Sequence, residues 1–368
     1  MKYYFKIIFI TVIALLGACR EDDNSDLIIE REEPHNNDPG EPTPYTFQVP
    51  AHFSRIGAPF VPQDNPTTVE GVALGKKLFF ERKLSRNNQI SCASCHKPEA
   101  SFNDPGKAVS IGADGTTQGI RNAMPLFNLA WTKITNSDFN WHGNAESLEE
   151  QALEPVVNPL EMQESWPNVV NKLKADPDYP RLFNEAFGTV DIDSHLVVKA
   201  IAQFERTLIS GESRYDNYIN NQSNGPTLTA QEIRGLQLFI NEDKGDCAHC
   251  HGDQSNPLMT DFQFRNNGLD ANPDSGLAAV TKNPNDIGKF KTPSVRNLVF
   301  TAPYMHDGRF TTLEEVVDFY IDDIQESPTL DGFMRKKREL TSQERADLVA
   351  FLKSMTDSSF TRNPAFRP

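Results

Sequence analysis

The chain is 368 residues long, which suits about two domains rather than one small core. Its formal net charge of −15 at pH 7 would repel a polyanion, so a nucleic-acid partner is excluded. A hydrophobic share of 38% with 10% aromatics is enough for globular packing.

The chain opens with the basic stretch MKYYFK and the apolar run IIFITVIALL, too short to span a bilayer. LGAC follows, with small residues before Cys19. Residues 1–19 therefore resemble a bacterial lipoprotein signal, with cleavage before Cys19 and lipid on its thiol; a plain signal peptide with a chance cysteine is the alternative. The expected mature protein is exported and lipid-anchored on the periplasmic side of a membrane, touching it through the anchor only. Residues 20–50 place nine acids against Arg20 and Arg31 and add Pro34, Pro39, Pro42 and Pro44. With so little to bury, this segment reads as a disordered acidic tether.

From about residue 51 the pattern becomes helical. Gly75, Leu78 and Phe79 form a G-x-x-L-F element leading into Cys92-Ala-Ser-Cys95-His96. Ser147 and Glu150 have capping-box spacing and predict a helix start. Val197, Ile201, Phe204 and Leu208 fall on one stripe of an amphipathic helix. Thr229 and Glu232 cap a second G-x-x-L-F element, Gly235, Leu238 and Phe239, which leads into Cys247-Ala-His-Cys250-His251. Thr312 with Glu315 and Thr341 with Glu344 predict two further capped helices. Strand signal is weak, and 25 prolines require long loops, so the fold class is mainly α.

Three chemistries use C-x-x-C. Structural zinc joins pairs across a short loop, but these pairs lie a domain apart. A thioredoxin-like site needs a βαβ setting, and neither motif has one. Covalent c-type haem uses both thiols on the two vinyl groups and the adjacent imidazole on the iron, which explains His96 and His251. Two such motifs take up every cysteine except Cys19. The sequence thus predicts two covalently bound haem c groups in two fused cytochrome c-like domains, 51–222 and 223–368, with a hinge at 220–229.

Residues 55–356 resemble the bacterial di-haem cytochrome c peroxidases, a family that includes the MauG-type maturation enzymes of methylamine dehydrogenase. The matching stretches are LGKKLFFERKLS, RNAMPLFN, SLEEQALEPVVNPLEM, KTPSVRNLVFTAPYMHDGRFTTLEEVV and LTSQERADLVAFLKSM. The resemblance implies a peroxide-reacting haem in the N-terminal domain and an electron-transfer haem in the C-terminal one. By motif, Glu161 of Asn158-Pro159-Leu160-Glu161-Met162 would be the acid/base, Gln151 would hydrogen-bond peroxide, and Pro155 would restrict the distal pocket. Trp141 in FNWHGN would relay electrons between the haems, although His142 and Asn144 depart from the family pattern. Calcium would be held by Asn122 and by the carbonyls of Thr301 and Pro303.

Where many relatives place a methionine ligand for the C-terminal iron, this chain has Tyr320, as the maturation enzymes do. Met305, Met334 and Met259 are spare ligands. Many relatives also block the N-terminal iron with a histidine from the loop that matches residues 107–120, which here contains no histidine; His142 is the substitute to test. The expected activity is reduction of hydrogen peroxide to water with electrons from a small cytochrome c or copper protein. The alternative is oxidation of a partner protein's residues by high-valent iron, and a weaker one is a non-catalytic electron carrier. A homodimer is compatible with the resemblance.

Overall fold

The computed structural model describes residues 41–135, 137–221 and 225–368. The signal segment with Cys19, the tether up to residue 40 and part of the expected hinge lie outside the described residues. Residues 43–45, inside the expected tether, are fixed by hydrogen bonds. Val69 N–H donates to Thr43 O at 2.8 Å and Tyr45 N–H to Thr67 O at 3.0 Å, while Thr43 bonds the Glu70 carboxylate through its own N–H and hydroxyl. These bonds fix residues 43–45 that the tether composition would leave free.

The fold is mainly helical, as expected. Six helices organise it: α1 Val69–Phe79, α2 Leu148–Val157, α3 Ser194–Arg206, α4 Ala230–Ile240, α5 Leu313–Asp322 and α6 Ser342–Ser354. The capping signals set the starts of α4, α5 and α6, where Thr229, Thr312 and Thr341 form reciprocal boxes with Glu232, Glu315 and Glu344. At α2 only half of the box forms. Ser147 accepts from Glu150 N–H, but the Glu150 carboxylate takes Glu146 N–H instead, at 2.7 Å. Among the described residues, sheet is limited to β1 Phe264–Arg265 and β2 Phe290–Lys291, paired antiparallel.

The sequence duplication has a packing counterpart. A Cβ on Gly75 would lie 1.9 Å from Ala200 O, and one on Gly235 would lie 2.0 Å from Asp347 O. Thus α1 meets α3, and α4 meets α6, at a distance only glycine permits. Beside each crossing an aromatic pair locks edge to face, Phe79–Phe204 at 5.4 Å and Phe239–Phe351 at 5.2 Å. The two phenylalanines differ in surroundings: Phe239 also borders a cavity, whereas Phe79 is enclosed by core aromatics.

Leu74, Leu78, Phe102, Val197, Ile201 and Phe204 sit in one apolar cluster; Leu236, Phe239, Val317, Leu348 and Phe351 sit in another. The chain's end does not follow the 222/223 division. Phe360 and Phe366 return to the first cluster against Phe102, at 5.7 and 6.3 Å. Asp357 anchors that return, its Oδ2 accepting from Ser210 Oγ, Gly211 N–H and Glu212 N–H.

Candidate haem sites and the wall between them

Each C-x-x-C-H motif forms a one-turn helix at the edge of its own cavity. In the first, Ser91 and Ser94 form a capping box over Cys92–Cys95, and His96 N–H returns to Cys92 O at 2.9 Å. The turn brings Cys92, Cys95 and His96 onto the wall of a cavity of about 420 Å³. In the second, His251 N–H returns to Cys247 O at 3.0 Å, and Cys247, Cys250 and His251 line a cavity of about 210 Å³. All four motif cysteines are free thiols. Among the described residues no group of three or more His, Cys, Asp or Glu could hold a metal ion, so the two thiol pairs do not assemble a zinc site.

Both imidazoles are oriented alike. His96 Nδ1 lies 2.9 Å from Phe102 O and His251 Nδ1 lies 3.1 Å from Pro293 O. A carbonyl partner fixes the proton on Nδ1 and leaves Nε2 free as a ligand atom. Burial pushes both below the usual histidine range, favouring the neutral ring that ligation needs. The walls also hold unpartnered donors: Arg121 Nε at the first cavity, and Arg265 Nε and Arg338 Nε at the second. Buried guanidinium N–H groups left open suit the propionates of a haem. The residues present therefore fit a covalently held haem in each cavity.

The first cavity gathers the distal set expected from the motifs. Gln151 and Pro155 on α2 line it together with Glu161, which follows that helix. Asn158 organises the turn, with Leu160 N–H donating to its Oδ1 at 3.0 Å and its Nδ2 donating to Glu161 Oε1 at 2.8 Å. Two main-chain bonds hold the same turn from outside, Ala113 N–H to Glu161 O at 2.7 Å and Arg86 N–H to Met162 O at 3.0 Å. Burial pushes the Glu161 carboxyl up to about 7; the nearby Glu154 charge adds to the rise and the Asn158 bond opposes it.

Trp141 is 8% exposed and lines both cavities, as do Asn122, Pro125 and Lys291. Its indole Nε1 donates to Asn122 O at 2.8 Å, and its carbonyl accepts Lys291 N–H at 2.9 Å. The two departures beside it are accommodated. Asn144 bridges Asn140 to the Glu154 carboxylate at 3.0 and 2.6 Å, and His142 borders the first cavity. Trp131 and Trp166 donate to Gly57 O and Leu153 O and border neither cavity. Of the 107–120 loop, Ser110, Ile111, Gly119 and Ile120 reach the first cavity.

In the second cavity Tyr320 of α5 presents its hydroxyl beside Asn267. Burial pushes that phenol up to about 12, and the Asn267 bond opposes the rise. Met305 and Met334 border the same cavity, but Met259 is enclosed in the core and does not. Asn122, Thr301 and Pro303 each line this cavity.

Three residues escaped sequence reasoning. Glu205 on α3 is buried at the first cavity with Oε2 unpartnered, and burial pushes its carboxyl up to about 8. Lys291 is buried with its ammonium 2.9 Å from Ser137 Oγ, over the rings of Phe262 and Phe264, and burial lowers it to about 7. Asn267 is the third. A charge on an otherwise apolar helical stripe was the one available signal, at Glu205.

Comparison with known proteins places this arrangement. The family model described as di-haem cytochrome c peroxidase matches residues 69–224. The methylamine utilization protein MauG of Methylorubrum extorquens is 40% identical over 310 residues, covering 83% of each chain. The cytochrome-c peroxidase IdrP1 of Pseudomonas sp. strain SCT is 36% identical, covering 81% of this chain and 84% of that one. A crystal structure of a MauG-like protein associated with microbial copper homeostasis superposes with a TM-score of 0.78 at 36% identity, covering 88% of this chain and 99% of that one.

Proposed function

The chain belongs to the di-haem cytochrome c peroxidase family, and on that premise we propose that it reduces hydrogen peroxide at the first cavity with electrons received at the second. It is an oxidoreductase of the peroxidase type carrying two haem c groups. The reading rests above all on one observation: Gln151, Pro155 and Glu161 share a cavity with Cys92, Cys95 and His96.

The overall reaction takes H2O2, two electrons and two protons to two waters. The bound haems supply the iron centres and the electron storage. The chain's own residues do the rest. Gln151 holds peroxide by its amide. The Glu161 carboxylate takes the proton from the near oxygen and returns it to the far one, so that the O–O bond breaks with water as leaving group. Pro155 limits the room in the first cavity beside Gln151 and Glu161. Trp141 carries electrons through the wall it forms between the cavities. Residues 51–222 and 223–368 act as the peroxidatic and electron-transfer haem domains, with the C-terminal tail returning to the first. His96 and His251 would hold the two haem irons through their free Nε2 atoms, and Tyr320 would offer its oxygen to the iron of the second cavity. No histidine occurs in the 107–120 loop, so that loop would supply no blocking ligand to the N-terminal haem.

Calcium at Asn122, Thr301 and Pro303 would tie this wall together. The donor is a small cytochrome c or copper protein. The chain is anchored through Cys19 on the periplasmic side; no helix among the described residues is long and apolar enough to cross a membrane. Tyr320 at the second cavity favours a second reading, oxidation of a partner protein's residues, because an oxygen ligand favours the higher iron states. Steady-state turnover separates the two. Catalytic consumption of peroxide with a reduced small cytochrome supports peroxidase function; slow donor oxidation with fast oxidation of a protein substrate overturns it.

A further inference from the structure

The second cavity offers the C-terminal iron two side chains with a ligating atom close together, and one amide reaches both. Asn267 Nδ2 lies 3.1 Å from Tyr320 Oη and 3.7 Å from Met305 Sδ, and all three residues line the cavity. The amide is held on both sides along the chain. Asn266, the hub before it, accepts Gly268 N–H on Oδ1 at 2.9 Å and Asp331 N–H on its carbonyl at 3.0 Å. Its Nδ2 reaches Ser327 Oγ at 3.0 Å and Thr329 Oγ1 at 2.9 Å. Gly268, after it, has φ of +76°, and its carbonyl accepts Gln325 N–H at 2.8 Å. Asn267 is thus preset by its neighbours, as a group that must orient others has to be.

We propose that Asn267 is a positioning residue that selects Tyr320 over Met305 as the axial ligand of the C-terminal iron. The proposal rests on the reading of Tyr320 as that ligand. An amide NH2 has two hydrogens. One given to the phenolic oxygen stabilises the anionic form in which it ligates, and a bond to an ionised oxygen is about twice as strong as a neutral one. The other reaches the thioether, a weak acceptor that has no anionic form for the bond to stabilise. The same side chain therefore favours the oxygen over the sulfur. Nothing in the sequence distinguishes this Asn from its neighbour Asn266, whose bonds all go to the chain around it.

The test uses the holoprotein with both haems. Asn267→Asp keeps the shape and removes the donor; Asn267→Leu removes all hydrogen bonding. In both, the oxidised spectrum should gain a methionine–iron charge-transfer band. The reduced fraction of the C-terminal haem at a fixed ambient potential should rise about tenfold, since a thioether favours ferrous iron. Adding Met305→Leu should abolish the new band. Cyanide binding at the N-terminal haem should stay as in the parent protein. If both variants keep the parent spectrum and potential while Tyr320→Phe changes them, Tyr320 is the ligand and Asn267 does not select it. If Tyr320→Phe itself leaves the spectrum unchanged, the ligand reading fails first. Should the Leu variant lose its haem, the near-isosteric Asp variant decides alone.

Discussion

The pH dependence of peroxide cleavage should be set by Glu161 and should move in opposite directions with its two polar neighbours. The carboxylate form accepts the first proton, so the rate should rise with pH around a midpoint of about 7. For one group titrating there, the ionised fraction grows from about a tenth at about pH 6 to about nine-tenths at about pH 8, a roughly tenfold change in rate. Asn158 donates to the carboxylate and lowers its pKa, so Asn158→Ala should shift the midpoint upward. Glu154 raises it by like charge, so Glu154→Gln should shift it downward. Glu205 and Lys291 line the same cavity, pushed by burial up to about 8 and down to about 7, but neither substitution touches them. Glu161→Gln should cost about 10² to 10⁴ in rate with both haems retained. Stopped-flow mixing with peroxide across the pH range reads all of this. Opposite shifts in the two neighbour variants would identify Glu161 as the titrating base. An unmoved midpoint in both, or a parental rate in Glu161→Gln, would refute that role.

Both haems should survive denaturation, and the Cys247→Ala/Cys250→Ala variant should keep one of two on a haem-stained gel; release of haem into acidified organic solvent would contradict covalent attachment. Trp141→Phe should leave the first reaction with peroxide at its parental rate and slow delivery of the electron from the second site, followed by single-turnover absorbance; equal rates throughout would remove Trp141 from the path. The fully oxidised protein should show a high-spin ferric signal and bind cyanide without prior reduction; two low-spin haems would mean a blocking ligand, and His142→Ala would test its source. Gly235→Ala places a methyl 2.0 Å from Asp347 O, and overpacking of about 1–3 kcal/mol should outweigh the gain of about 1 kcal/mol in helix propensity, lowering Tm.

What the sequence makes legible is what lies within one turn of chain. The C-x-x-C-H motifs and the G-x-x-L-F repeats are contiguous, so their spacing alone marks them, whereas the role of Glu161 within Asn158 through Met162 is legible only through the family resemblance. Trp141 is a harder case: its motif is altered at two positions, yet the indole still lines both cavities, bonded to Asn122 O. Asn267 and Lys291 leave no such mark. Their partners are distant in sequence, Tyr320 for one and Ser137 for the other, so only folding brings them together. Ser147 shows a subtler limit. The box spacing is present, but an adjacent main-chain N–H competes successfully for the same carboxylate.

The return of Phe360 and Phe366 to the first apolar cluster orders events in time. A ribosome makes residues 74–208 long before it makes the last twelve. Until those emerge, Phe102 and Phe127 lack aromatic neighbours that complete their surroundings, and Ser210, Gly211 and Glu212 lack the Asp357 carboxylate. The half that is synthesised first is therefore finished last. A chain cut short after residue 356 would carry every haem-attachment and distal residue and still leave its first core open. Such a chain is the form in which exposed apolar surface, rather than missing chemistry, would mark the protein for proteolysis.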